Sequence, residues 1–294
     1  MRRRHLRPRL IAAAAATCVL LAGCQQLHTQ VPKGAGTLRY RDAVFSQVDV
    51  SKDVTYGHAA DLTGKDVSLE LDVYQPHGDA VTARPAIVWV HGGSFKTGEK
   101  TSPEIVDEAT TFAKKGYLNV SIEYRLSGGC APFTSQCLDG IAMAYHDAQA
   151  AIRFLRANAS TYGVDTDRIA VAGTSAGAIT AYNVAFGSKS VGHSGNPGYS
   201  SKVAAAVSLS GASIGTSPSA GDPPTLDFHG SADPIVPLTW LTSTLTKART
   251  VHLVAEQVLW DGDGHVPYGK HRTEILDDTR NFLYATMDLA HAAR

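Results

Sequence analysis

The sequence is poor in charge, in aromatic residues and in cysteine. Charged side chains make up 18% of its 294 residues and aromatics 7%, and there are four cysteines and three methionines. So few cysteines exclude a small scaffold stapled by disulfides in place of a core. A hydrophobic share of 44% excludes a largely disordered chain. An excess of either charge is also missing, because 27 Lys and Arg balance 27 Asp and Glu. The balance is uneven along the chain. Residues 1–23 hold five arginines (Arg2, Arg3, Arg4, Arg7 and Arg9) and no acid, which leaves 22 basic against 27 acidic side chains in the rest. That acidic remainder speaks against nucleic acid as a partner, which needs a positive surface facing phosphate.

The apolar run of residues 10–23 is shorter than the about 20 residues that a spanning helix needs. Behind the basic residues 1–9, it has the length of a signal-peptide core. It ends in Leu21-Ala22-Gly23-Cys24, which resembles the lipobox of bacterial lipoproteins. The resemblance implies removal of residues 1–23 and a lipid on Cys24. An ordinary secretory signal is the alternative, and Arg3-Arg4 leaves the twin-arginine route open. Either way, an exported, extracytoplasmic protein is expected, held at the cell membrane where Cys24 carries the lipid. Residues 24–42, polar with Pro32, Gly34 and Gly36, read as a lipidated tether, and residues 43–294 as one domain. In an exported chain, Cys130 and Cys137 suggest a disulfide. Two free thiols or a metal pair are the other readings, and no matching His/Cys cluster supports a metal.

The body alternates strand and helix patterns. Residues 67–74 (VSLELDVY) alternate like a half-buried antiparallel strand, whereas 85–90 (PAIVWV) form a continuous apolar run, as in a strand buried on both faces. Further strands are expected at 117–124, 167–172, 203–209, 225–229 and 257–260. Helices are expected at 104–115, 141–162, 176–186, 238–249 and 268–290. Strands separated by helices need crossover connections, so the class is α/β: a mostly parallel central sheet with helices on both faces and an antiparallel start.

Chemistry gathers at the strand ends. Gly173-Thr174-Ser175-Ala176-Gly177 follows one strand and opens a helix, so a sharp turn flanked by small residues presents the Ser175 hydroxyl beside a helix N-terminus. Serine is a weak nucleophile and needs a base. Among eleven histidines beyond residue 23, His265 follows the last strand in a turn-forming stretch, Asp261-Gly262-Asp263-Gly264-His265. His58, His77 and His193 fall in loops, while His252, His271 and His291 read as surface positions. Asp233, after the preceding strand, ranks above Asp222, Asp227, Asp261 and Asp263 as the carboxylate that would orient His265. His91-Gly92-Gly93-Ser94 can turn backbone N–H groups toward a developing oxyanion.

These motifs, in the order His-Gly-Gly, Gly-x-Ser-x-Gly, Asp, His, resemble α/β-hydrolase carboxylesterases of the hormone-sensitive-lipase-like and feruloyl/acetylxylan-esterase-like groups. The similarity runs from about residue 67 to 289 through LDVYQP, WVHGGSF, SIEYRL, AIRFLRANASTYGVDTDRIAVAGTSAGA, FHGSADPIVP and GDGHVP. It implies Ser175 as nucleophile, His265 as general base and acid, and Asp233 as orienting acid. It implies oxyanion donors at Gly93, Ser94 and Ala176, with Gly92 supporting the turn. A small-molecule carboxylic ester would be the substrate, with small to medium acyl or carbohydrate-linked esters favoured and no metal or organic cofactor. Thr174 stands where many relatives have an acid, and Ser94 where lipase-like members have a third glycine. Residues 127–138, with both cysteines, replace the family's proline-bearing segment and are expected to border the acyl pocket. Residues 187–201, rich in Gly and Ser, read as a small cover, and no large cap domain fits in the length. Exopeptidase, cell-envelope acyltransferase and inactive envelope binding protein are the alternative functions. Oligomeric state is not legible.

Overall fold

The computed structural model describes residues 26–130, 133–187 and 191–293. Cys24 and the basic and apolar residues 1–23 lie outside them. The strands are β1 (Val48–Ala60), β2 (Asp66–Pro76), β3 (Arg84–Val90), β4 (Leu118–Ile122), β5 (Val164–Thr174), β6 (Ala205–Leu209), β7 (Thr225–Gly230) and β8 (Ala255–Trp260). The helices are α1 (Pro103–Lys114), α2 (Ser135–Ala157), α3 (Ala159–Tyr162), α4 (Ala176–Phe186), α5 (Leu238–Thr250) and α6 (Tyr268–Thr286). One eight-stranded sheet runs in the order β1-β2-β4-β3-β5-β6-β7-β8. β1, β2 and β4 pair antiparallel, and every pair from β4 to β8 is parallel. The α/β class with an antiparallel start is therefore correct.

The two-residue period of a strand divides the core. In β3, Ala86, Val88 and Val90 join one cluster with α2 and α4, while Ile87 and Trp89 join another with α1 and α6. All seven β3 residues are buried, which is why PAIVWV carries no polar alternation. Full burial of each such side chain contributes about 1.5–3 kcal/mol. α4 is buried on every side and largely apolar, and its polar Thr180 and Asn183 bond to the Ala176 and Ile214 carbonyls.

β1 has no counterpart among the expected strands. It is an edge strand, only Tyr56 in it is buried, and two register shifts interrupt its pairing with β2. Bulges and a solvated edge erase the alternation that marks a half-buried strand.

Within residues 26–42, read as a tether, the two ends are fastened to the domain, at 27–28 and 38–42, while most of 29–37 is exposed. Glu256 on β8 receives the backbone N–H groups of Leu27 and His28 and the His28 ring at 2.6, 3.0 and 2.7 Å. Asn281 donates to the His28 carbonyl, Tyr40 is fully buried, and Arg39 pairs with Asp79. His28 and Arg39 are paired with the body, whereas Gln26, Thr29, Gln30, Lys33 and Thr37 are exposed.

Candidate active site

β5 ends in the turn that carries Ser175, whose φ of 54° and ψ of −113° are unfavourable for any residue with a Cβ. The surroundings impose this conformation. A Cβ on Gly177 would lie 1.9 Å from the Val90 carbonyl oxygen, and one on Gly173 2.4 Å from that of Gly177. Small flanking residues are therefore a condition of the turn. The Ser175 N–H is tied to the Leu209 carbonyl at 2.8 Å, and the hydroxyl points away from the sheet toward His265.

His265 bridges two groups. Its Nε2 is 2.8 Å from Ser175 Oγ and its Nδ1 is 2.7 Å from Asp233 Oδ2. The other Asp233 oxygen accepts the N–H groups of Ile235 and Val236 at 2.8 and 3.0 Å. Burial opposes ionisation of Asp233, but the His265 hydrogen bond and these two backbone donors outweigh it and lower its pKa. The loops bearing Asp233 and His265 are stitched together: Ala232 donates to the Asp263 carbonyl at 2.9 Å, and Asp263 pairs with Lys270 and His271. His271, expected at the surface, is half-buried and stacks on Trp260.

The His91–Ser94 turn lies against the Ser175 turn, since a Cβ on Gly92 would approach the Ser175 Cβ to 3.3 Å. Gly93 has a φ of 112°, and its missing Cβ would fall 2.0 Å from the Thr97 carbonyl oxygen. Ser94 and Phe95 follow at 57° and 59°, a left-handed run that only a well-anchored loop sustains. The anchor is His91, buried, with its ring stacked on Tyr124 and its Nδ1 2.7 Å from the Gly92 carbonyl. Among the described residues nothing accepts the N–H groups of Gly93, Ser94 or Ala176. Ala176 is the first residue of α4, where such an N–H has no intrahelical partner.

Two cavities meet at Ser175. One of about 270 Å³ is apolar, lined by Phe95, Cys130, Phe133, Ile179, Ile214 and Trp240. The other, about 500 Å³ and more open, presents Lys96, Thr97, Ser102 and Glu104. Cys130 and Cys137 form a disulfide, and Cys130 and Phe133 of the 127–138 segment border the enclosed cavity as expected. The described part of 187–201 does not cover the site. Ser194 there bonds to Asp147 on α2 and Asn196 to the Tyr56 carbonyl on β1, which holds this loop to another part of the body.

The three-dimensional arrangement matches solved esterases over most of the chain. Thermogutta terrifontis esterase 2 phosphonylated by sarin aligns with a TM-score of 0.68 at 22% identity, over 87% of this chain and all of that one. The same esterase phosphoramylated by tabun aligns at 0.67 and 23% over 87% and 100%. The chain has the α/β-hydrolase fold. Residues 71–214 of the chain match the family described as BD-FAE. Mouse carboxylesterase 5A is 35% identical over 114 residues, 38% of this chain and 19% of its own. Phenmedipham hydrolase of Pseudarthrobacter oxydans is 35% identical over 111 residues, 37% and 21% respectively. The chain thus spans about a fifth of the length of these curated relatives.

The α/β-hydrolase fold brings every residue of the expected site to one edge of the parallel strands, where loops after β3, β5, β7 and β8 converge. Sequence reasoning missed Ser210. It follows β6 at a φ of 61°, and its hydroxyl accepts the N–H of Val266, the residue after His265, at 3.0 Å. A serine at a strand end was the only signal. Among the described residues no group of His, Cys, Asp and Glu could hold a metal ion.

Proposed function

We propose that this chain is a serine-dependent carboxylic-ester hydrolase working through an acyl-enzyme. The observation that carries the reading is His265, within hydrogen-bond reach of Ser175 Oγ on one side and Asp233 on the other. Ser175 Oγ attacks the ester carbonyl while His265 Nε2 takes its proton. The carbonyl oxygen becomes an oxyanion facing the free N–H groups of Ser94, Ala176 and Gly93. His265 then gives the proton to the departing alkoxide, which leaves as alcohol. Water, deprotonated by the same histidine, attacks the acyl carbonyl, and His265 returns that proton to Ser175 Oγ as the acyl bond breaks and the acid leaves. Asp233, held anionic, keeps Nδ1 protonated throughout and stabilises the transient imidazolium.

The cavity pair supports a polarity for the substrate. The enclosed 270 Å³ side, lined by Phe95, Phe133, Ile179, Ile214 and Trp240, suits a small to medium acyl group, and the open side, edged by Lys96, Thr97, Ser102 and Glu104, suits a hydroxyl-rich alcohol such as a carbohydrate. The printed names of the matched proteins, carboxylesterases and a hydrolase, support the reaction class. The export and anchoring part of the proposal rests on Cys24 in Leu-Ala-Gly-Cys, with the body outside the cytoplasm and lipid-anchored.

Hydrolysis of a graded series of acyl esters, beside Ser175→Ala, tests the reaction. Loss of at least about 10³-fold in the variant is expected; undiminished turnover overturns it. Product analysis with an added alcohol acceptor distinguishes acyl transfer from hydrolysis. Membrane fractionation of Cys24→Ser tests the anchor, which fails if the variant still sediments with membranes.

A further inference from the structure

Beside the triad lies a second carboxylate–histidine pair that the reaction above does not use. Asp227 and His229 are two residues apart on β7, so both project to the same face of the sheet, and neither side chain has any solvent exposure. His229 Nε2 is 2.9 Å from the Val236 carbonyl oxygen and 3.5 Å from Asp233 Oδ2. A carbonyl only accepts, so Nε2 carries a hydrogen. The Asp233 oxygen it approaches is the one that holds His265.

On its other side, His229 Nδ1 faces Asp227 Oδ2 at 3.5 Å, and neither atom has a hydrogen-bond partner among the described residues. Asp227 Oδ1 is occupied, accepting from Ser208 at 2.6 Å and Tyr182 at 3.4 Å. If Asp227 were ionised and Nδ1 bare, two lone pairs would confront each other between two fully buried side chains, an arrangement that low polarity makes costly. One proton between Oδ2 and Nδ1 removes the conflict. Burial pushes the Asp227 carboxyl up to about 6. Burial pulls the His229 imidazole down, but the facing Asp227 carboxylate more than offsets it and the net shift is upward. The pair therefore retains a proton where an exposed carboxylate and a neutral imidazole would not.

We propose that Asp227 and His229 are positioning residues of the hydrolytic site, sharing one proton and presenting a polarised N–H to the Asp233 oxygen that orients His265. The proposal rests on the reading of Ser175, His265 and Asp233 given above. Its physical content is competition at one oxygen. Positive charge on His229 draws on Asp233 Oδ2, steadies it as an anion, and weakens its hold on the His265 proton. An Asp233 oxygen shared in this way grips the His265 proton less firmly than one that His265 holds alone. The titratable groups facing the pair are Tyr182 from α4 and Asp233 from the loop after β7. β6 offers the Ser208 hydroxyl, and β8 sets uncharged Gln257 and Leu259 beside Asp227 and His229 in register.

The test is the pH dependence of Ser175 phosphonylation by a fluorophosphonate, read beside the NMR titration of the proton between His265 and Asp233. Asp227→Asn can supply no proton to His229, which stays neutral. The acid limb and the NMR midpoint should both rise by about half a pH unit, so ester kcat below the limb falls about threefold. KM should stay unchanged, since neither residue lines the two cavities at Ser175. An acid limb and midpoint that stay where the wild type has them overturn the proposal. His229→Gln keeps an N–H near the Val236 carbonyl without the charge and should show the same rise; wild-type behaviour there overturns it as well. Ser208→Ala, the milder change should Asp227→Asn fail to fold, removes a donor to Asp227 and should shift both midpoints upward by less. A downward shift refutes the idea. A wild type that neither hydrolyses esters nor reacts with the fluorophosphonate would sink the hydrolase reading, while the NMR titration still decides the pair.

Discussion

Val266 hangs its N–H on the hydroxyl of Ser210, 3.0 Å away and 56 residues earlier in the chain. Both residues sit in left-handed backbone, at φ values of 50° and 61°. Left-handed backbone is strained for a β-branched valine and persists only where the surroundings hold it. Ser210 is itself fixed, its N–H donating to the Phe228 carbonyl at 2.8 Å and its side chain fully buried. The bond therefore ties the His265 loop to the end of β6, beside the Ser175 turn.

Ser210→Ala should loosen His265 without touching substrate. A single neutral hydrogen bond of this kind is worth about 0.5–1.5 kcal/mol, so kcat should fall about 3- to 10-fold with KM nearly constant. Steady-state kinetics on one ester check this. A KM effect with unchanged kcat would show that the loop's position does not depend on the bond.

Ser175→Gly and Ser175→Ala should both abolish activity but differ in stability. Alanine retains the Cβ that makes φ 54° and ψ −113° unfavourable, whereas glycine adopts such values freely. Glycine should melt later than alanine, by a margin of about 1 kcal/mol after its larger unfolded-state entropy. Thermal melts of the two variants provide the comparison, and equal melting points would mean that the turn is unstrained.

Asp233→Asn should leave His265 without the partner that fixes Nδ1–H, and kcat should drop by about 10⁴-fold. The same substitution tests a pH effect on stability. Because the folded-state pKa of Asp233 is depressed, its contribution is fully present above its unfolded value near 4. It is lost as the pH falls through the lower folded value. Denaturant titrations should show the stability gap between wild type and variant narrowing below about pH 4; a gap that widens there contradicts the depressed pKa.

Cys130→Ser with Cys137→Ser should cost roughly 2–3 kcal/mol, the chain-entropy value for so short a loop. Selectivity should shift too, because Cys130 and Phe133 line the apolar cavity and Phe133 meets Trp240 edge-on at 6.1 Å. Turnover of esters with bulky acyl groups should fall more than that of acetyl esters. A uniform loss across the series would assign the disulfide to stability alone.

What local backbone chemistry demands can be read along the chain. Gly173 and Gly177 around Ser175, the His91–Ser94 turn and the buried run of β3 are legible because their constraints arise within a few residues of one chain segment. Asp233 and His265 were legible because each follows a strand, and parallel strands gather their ends at one edge. Only the tertiary structure decided the contacts made across the sheet. Ser210 under Val266 and Glu256 clasping Leu27 and His28 join residues 56 to 229 positions apart, and the Asp227–His229 pair stands behind Asp233. A hydroxyl or carboxylate reads alike in sequence whether its partner is water or a buried N–H, and the partner appears only when packing brings it there.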